Sequence, residues 1–298
     1  MCKINYLRNI VFIISMLISF LISNTYQDIL GFFLILTIGL IHGANDLLII
    51  KKNSSLVEKK YKKFNLFKTF FAYLSVVFAG LLFFNFFPSI ALLFFVLLSV
   101  YHFGEQHFEV NFKLQLKNNF SKIILVLLHG FIVFSIIFRN NILSVTDVFK
   151  VFELPFFDLN SITIILLISS LFYFLIIIIN YGLKKLFWEE LILIGLFYLL
   201  SSISTLIFSF SIYFIFFHSL LSINDQVKFI YGSNSSSNIK KYILSSLPYF
   251  FISIISLTLF YILFDIQSQN FLPIIFIFLA AITFPHILVI EKMYRNMK

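Results

Sequence analysis

The sequence predicts an all-α protein, a polytopic integral membrane helical bundle of about ten transmembrane helices. Hydrophobic residues make up 60% of the 298-residue chain and charged residues only 12%, whereas soluble domains average about 45–50% and about 25%. The apolar residues are also gathered into runs, most of them close to the roughly 17–25 residues that a helix needs to cross a bilayer. Both observations exclude an ordinary soluble domain.

Ten apolar runs follow one another along the chain, and several are near or below the short limit for a span. They cover residues 10–23, 29–50, 67–86, 88–107, 121–138, 161–181, 188–203, 205–223, 243–264 and 271–290. The first run resembles a signal peptide, but no small-residue cleavage site follows it, so we interpret it as a retained helix. With no internal repeat and no soluble segment, residues 1–298 are predicted to form a single transmembrane domain.

The basic residues predict an orientation for these helices. If the N-terminus is cytoplasmic, 20 of the 22 Lys and Arg residues fall on the cytoplasmic side, and only Arg139 and Lys150 fall on the other. This bias follows the positive-inside rule and predicts a plasma (inner) membrane protein with both termini in the cytoplasm. Because the loops explain the net charge of +9, no nucleic-acid partner is expected. The single cysteine, Cys2, excludes an internal disulfide and a multi-cysteine metal site.

Histidines inside the apolar helices require a functional explanation. His42 opens the segment His42-Gly43-Ala44-Asn45-Asp46, in which the imidazole and the carboxylate would share one helix face. His102, His218 and His286, like His42, precede the next loop lysine by six to eleven residues. These four histidines lie on predicted helices that all run toward the cytoplasm. At about 1.5 Å per residue, their depths agree within roughly 8 Å.

Three interpretations of these histidines remain open on physical grounds. Neutral imidazole is the commonest metal ligand, and sites built from imidazole, with or without carboxylate, suit iron, zinc or copper. The histidines could instead form a proton or ion pathway, or simple hydrogen bonds between helices.

Other polar residues near the four histidines could support a metal site. Asp46 and Glu105, each one turn from a histidine, are candidates to orient the imidazoles. His129 reaches a similar depth, and His107 is expected at the membrane interface. A glycine beside a candidate ligand, such as Gly104, predicts close helix approach or space for a bound molecule.

Four short motifs carry these histidines in order along the chain. They are His42-Gly43-Ala44-Asn45-Asp46, Tyr101-His102-Phe103-Gly104, Phe217-His218-Ser219-Leu220 and Phe284-Pro285-His286. Together they resemble the signature stretches of the Brp/Blh family, the integral-membrane β-carotene 15,15′-dioxygenases of bacteria and archaea.

The resemblance implies a non-haem Fe(II) enzyme that takes a carotenoid from the lipid. The enzyme would use O2 to cleave the central double bond of β-carotene, or of a related carotenoid, and give retinal, often for a microbial rhodopsin. It also implies that His42, His102 and His218 are iron ligands, with no catalytic residue and no organic cofactor site beyond the ligands.

The chain departs from the family pattern at two positions. Ser222 stands four residues after His218, where the family typically has a further ligand histidine, and His107 stands where the family often has aspartate. Serine is a poor iron ligand, so His286, His107 or water would complete the site, or iron binding would be weakened. We place His286 in the predicted metal-ligand set. Two other functions stay open: a non-catalytic carotenoid- or retinal-binding membrane protein, and a proton-coupled transporter with a histidine relay.

Overall fold

A computed structural model describes residues 2–57, 65–111, 119–154, 158–263 and 271–297. Over these ranges the secondary structure is helical and contains no β-strand, which confirms the all-α prediction. The lysines of segments 58–64 and 112–118, which contribute to the predicted orientation, lie outside the described residues.

The fifteen α-helices of the described ranges are named in chain order. They are α1 (Cys2–Leu21), α2 (Asn24–Leu34), α3 (Leu40–Ala44), α4 (Asp46–Val57), α5 (Leu66–Phe86), α6 (Pro88–Asn111), α7 (Asn119–Asn140), α8 (Ile142–Val151), α9 (Leu159–Ile179), α10 (Tyr181–Lys184), α11 (Phe187–Ile203), α12 (Leu206–Tyr213), α13 (Leu220–Tyr231), α14 (Ser236–Leu263) and α15 (Phe271–Met297). Two π-helical segments also occur in this part of the chain. The first, Ile35–Gly39, joins α2 to α3, and the second, Phe214–Ser219, joins α12 to α13.

Each of the ten predicted apolar runs falls on a helix. Within the described ranges, eight helical stretches are long and apolar enough to cross a membrane. The remaining two runs correspond to α1, whose apolar part Leu7–Leu21 is shorter, and to α11, which has 17 residues. The predicted break between the seventh and eighth runs is confirmed: α11 ends at Ile203, and the Thr205 hydroxyl accepts a hydrogen bond from the Phe208 amide at the start of α12. The protein is therefore a helical membrane protein.

The chain divides into two compact units. Unit 1 comprises residues 1–35, 96–150 and 155–221, and unit 2 comprises residues 36–95, 151–154 and 222–298. In unit 1, α1 packs on α11, α2 on α12, and α7 on α9. In unit 2, α15 packs on α4 and α5, and α3 packs on α14. The single-domain organisation stays a prediction.

Two glycines bring α6 and α7 together within unit 1. A Cβ atom added to Gly104 of α6 would overlap the carbonyl group of Val126, and one added to Gly130 of α7 would overlap that of Val100. Because small residues let helix backbones approach closely, the reciprocal pair fixes the packing of these helices. The prediction of close helix approach at Gly104 is confirmed.

Candidate metal centre

In unit 2, His42 and His286 face each other. His42 lies on α3, three residues after the first π-helical segment, and His286 lies on α15. Their Nε2 atoms are 2.9 Å apart, with the ring planes inclined by 74°. Both side chains are buried, with exposed fractions of 3% and 5%. Two imidazoles therefore direct one nitrogen each toward a common point inside this unit.

A carboxylate and a phenol fix the orientation of His286. The Nδ1 atom of His286 lies 2.8 Å from Oδ1 and 3.1 Å from Oδ2 of Asp46, and the Tyr73 hydroxyl donates to Asp46 Oδ2 at 2.8 Å. The carboxylate accepts a hydrogen bond from Nδ1–H, which puts the ring's lone pair on Nε2, the atom that faces His42. This is the arrangement by which carboxylates orient metal-binding histidines, and it makes His286 a suitable ligand.

The prediction that Asp46 orients His42 is wrong. The expectation assumed one continuous helix in which residues four apart share a face. In the structure α3 ends at Ala44, Asn45 adopts φ −96° and ψ 14°, and α4 begins at Asp46. The break removes the expected helical relation, so the carboxylate turns to His286 instead.

His42 has its own polar partners. Gln226 Nε2 lies 3.3 Å from His42 Nδ1 and donates to the His42 carbonyl oxygen at 3.1 Å. The same amide donates to Ser222 Oγ at 3.1 Å, and the Tyr242 hydroxyl donates to Gln226 Oε1 at 2.7 Å. Ser222, which stands where the family typically has a ligand histidine after His218, therefore contacts Gln226, the residue that holds His42. Sequence analysis missed Gln226, although His218, Ser222 and Gln226 recur every four residues.

In unit 1, His102 and His218 form a second pair. His102 lies on α6 and His218 in the second π-helical segment, and their ring centroids are 4.6 Å apart at an interplanar angle of 69°. Both rings are buried. Phe103 and Phe214 stack on His218 with centroid distances of 4.7 Å and 5.6 Å. π-Helical turns are rare and are frequent at functional sites, and this one carries a predicted ligand.

A further polar cluster in unit 1 contains His107, His129 and Glu190. One ligand atom from each residue lies within 4.8 Å of the others. The carboxylate of Glu190 is 3.0 Å from His107 Nε2 and accepts a hydrogen bond from the Tyr173 hydroxyl at 2.8 Å. Arg8 donates to His107 Nδ1 at 3.3 Å. His107, expected at the membrane interface, is buried inside the protein with an exposed fraction of 1%, and Arg8, counted above among the loop charges, is buried as well.

The geometry of this cluster favours a charge-balanced network over a metal site. The His107 and His129 rings stack, with centroids 3.7 Å apart and an interplanar angle of 14°. Imidazole lone pairs lie in the ring plane, so two stacked rings cannot both direct one at a single ion. Since Arg8 can only donate, His107 Nδ1 is the acceptor and the ring proton sits on Nε2, facing Glu190. His107 thus bridges a buried cation and a buried anion, and both of its ring nitrogens are engaged in these contacts.

These features define a helical membrane protein with buried histidine pairs, one of them oriented by a carboxylate, suited to binding a transition metal. The family model for beta-carotene 15,15'-dioxygenase matches residues 33–294, and the chain belongs to this family. The resemblance to the Brp/Blh family is confirmed, and membership supports a carotene-cleaving, dioxygenase type of activity. Comparison with curated proteins and with solved structures found no match.

Proposed function

We propose that the protein is an iron-dependent dioxygenase that cleaves the central double bond of β-carotene, or of a related carotenoid, to give retinal. The observation that carries the proposal is the His286 imidazole, oriented by Asp46 and facing His42, in a chain that belongs to this family. All four predicted ligands fall within the matched residues.

The proposed iron ligands are His42, His102, His218 and His286. Their shared depth in the predicted topology and the family motifs that contain them support this assignment. Each of the four is buried, and each is paired with another of the set inside its own unit. Imidazole is a suitable donor for Fe(II), and no thiolate competes, because the single cysteine is Cys2.

The surrounding residues have distinct roles in this proposal. Asp46, held by Tyr73, keeps the proton of His286 on Nδ1 and leaves Nε2 for the metal. Gln226 contacts the ring Nδ1 of His42 and donates to its backbone carbonyl, and Tyr242 holds Gln226 by donating to its Oε1. When bound, Fe(II) would activate O2, of which one oxygen atom enters each of the two aldehyde products. All four histidines are buried, so the proposed iron would lie away from bulk water.

The substrate would enter from the membrane. Carotenoids dissolve in the lipid phase, and the chain presents many exposed apolar side chains on its long helices. Phe103 and Phe214, stacked on His218, make the surroundings of this proposed ligand apolar, as a polyene substrate would require. We place the protein in the plasma (inner) membrane with both termini in the cytoplasm, where a microbial rhodopsin would receive the retinal.

Expression in a host that makes β-carotene tests the activity. With iron supplied and the protein present in the membrane fraction, we expect loss of pigment and appearance of retinal by chromatography. The variants His42→Ala and His286→Ala should abolish retinal formation and lose bound iron, measured on purified protein. Leu21→Ala, at a side chain with an exposed fraction of 83%, serves as the matched control.

Two results would overturn the proposal. Unchanged pigment with the wild-type protein present would exclude β-carotene cleavage. Metal-free wild-type protein that still binds carotenoid or retinal would favour a carrier.

A further inference from the structure

Helix α1 lies before the matched region, which begins at residue 33, yet four of its side chains are buried in unit 1: Arg8, Phe12, Ser15 and Ser19. Phe12 has an exposed fraction of 0% and Arg8 of 5%. The other face of the helix is apolar and exposed, as at Phe20 with a fraction of 73%. One face of α1 therefore packs against the protein interior, and the opposite face is exposed.

Two of these buried residues, Arg8 and Phe12, meet at Phe217. The Phe12 and Phe217 rings stack with centroids 4.2 Å apart and an interplanar angle of 12°. The Arg8 guanidinium carbon lies 5.0 Å from the centroid of the same ring, within the range of a cation–π interaction. Phe217 directly precedes His218 in the second π-helical segment. Contacts from α1 therefore act on the residue adjacent to a proposed iron ligand.

Arg8 also reaches the helix that carries the other histidine of this pair. Its guanidinium donates to His107 Nδ1, and His107 lies on α6, five residues after His102. Glu190, bonded to His107 Nε2, supplies the opposite charge that makes a buried arginine tolerable. One side chain of α1 thus contacts both segments from which His102 and His218 project.

The second π-helical segment depends on tertiary contacts for its position. A π-helical turn is rare as an isolated backbone form and occurs mostly as a single turn at functional sites. Its position along the helix axis is therefore set by tertiary contacts as well as by its own hydrogen bonds. The buried face of Phe217 receives these contacts from α1.

We propose that α1 is a positioning element of the metal site, in which Arg8 and Phe12 hold Phe217 and thereby set the position of His218 relative to His102. This inference rests on the proposed function for its metal readout. Arg8 and Phe12 are positioning residues, because they act through Phe217 and His107 and do not touch the metal.

The test compares Phe12→Leu with Phe20→Leu, the same change on the exposed face of the same helix. We expect Phe12→Leu to weaken Fe(II) binding about tenfold, within the usual range for residues that support metal ligands. The visible absorption of Co(II) bound in place of iron should also change, since it reports the ligand geometry. Phe20→Leu should leave both unchanged. Phe12→Met, which also lacks the ring, replaces Phe12→Leu if that variant does not accumulate.

Arg8 is tested by two substitutions. Arg8→Gln should lower Fe(II) affinity, and Arg8→Lys should recover part of the loss by restoring a cation near Phe217. A double-mutant cycle of Phe12→Leu with Phe217→Leu should show that the second change adds little to the first. Unchanged affinity and an unchanged Co(II) spectrum in folded Phe12→Leu would overturn the proposal, as would full additivity in the cycle.

Amide hydrogen exchange tests the role of α1 without bound metal, and so independently of the proposed function. In metal-free protein, Phe12→Leu should increase exchange in the peptide covering residues 210–221, and Phe20→Leu should not. If wild-type protein binds no iron, the proposed function fails while this measurement still decides the role of α1. Equal exchange in wild-type protein and Phe12→Leu would overturn the positioning role.

Discussion

His286 Nδ1 lies 2.8 Å from Asp46 Oδ1, although 240 residues separate them in sequence. The contact forms because Asn45 ends one helix and Asp46 begins the next, which frees the carboxylate from the face that carries His42. The Tyr73 hydroxyl holds the other carboxylate oxygen. The motif that begins at His42 therefore contributes to both histidines of unit 2: it contains His42 itself, and its Asp46 contacts His286.

Replacing Asp46 should weaken metal binding without removing a ligand. Asp46→Asn leaves a neutral amide at His286 Nδ1, so Nε2 becomes less basic and its tautomer is less strongly fixed. We expect Fe(II) affinity to fall about 10- to 100-fold, measured by competition with a chelator. Tyr73→Phe should have a smaller effect, because the carboxylate remains. Asp147→Asn, at an exposed aspartate paired with Lys150, is the control, and wild-type affinity in Asp46→Asn would disprove the orienting role.

Breaking the Arg8–His107–Glu190 network should destabilise the protein without changing the number of metal ions bound. Glu190→Gln removes the buried carboxylate that balances the Arg8 charge through His107, and breaking a buried ion pair by removing one partner typically costs about 3–5 kcal/mol. Unfolding in detergent measures the loss of stability. Replacing Arg8 and Glu190 together by methionine should be less harmful than Glu190→Gln, because no unpaired charge is left.

Counting the bound metal ions tests whether the cluster of His107, His129 and Glu190 holds a metal. Wild-type protein saturated with Fe(II) should hold one ion per chain, and His129→Ala should hold the same number. A second equivalent of tightly bound metal that disappears in His129→Ala would show that His107, His129 and Glu190 bind an ion after all.

Removing the metal should lower thermal stability. A ligand that binds only the folded state stabilises it by about 2.7 kcal/mol at a concentration one hundred times its Kd. We therefore expect a chelator to lower the unfolding temperature and added Fe(II) to restore it. His42→Ala should show the lower temperature from the start and should not respond to iron. A chelator-independent midpoint in wild-type protein would contradict a structural contribution from the metal.

The long apolar helices were predictable because their residues form continuous apolar runs, whereas α8 lies between two such runs. The break at residues 201–205 was visible too, since serine and threonine favour helix ends, and Thr205 does cap α12. The four histidines stood out because an imidazole in an apolar helix is unusual. Their local order along the chain, together with the family motifs, was sufficient to indicate the family.

The partners of the histidines were not predictable from local sequence. Asp46 contacts His286 beside a helix break at Asn45, and no periodicity in the sequence signals that break. Arg8 resembled a loop charge until the structure placed it beside His107 and Glu190, which lie about 100 and 180 positions away. Long-range pairs of this kind depend on tertiary packing, which one sequence does not reveal.

The glycine pair between α6 and α7 yields a steric prediction. Gly104→Ala would place a methyl group on the Val126 carbonyl, and Gly130→Ala would place one on that of Val100. Neither backbone carbonyl can move without shifting its helix, so each variant should lose at least about 1–3 kcal/mol of stability. Gly195→Ala on α11 is the control, since its added Cβ meets no atom within 4 Å and alanine favours a helix over glycine by about 1 kcal/mol. Because Gly104 and Val100 each lie two residues from His102, both variants should also reduce Fe(II) binding. Thermal unfolding and iron content of the three purified variants test both statements, and a Gly104→Ala protein as stable as Gly195→Ala would refute the close approach.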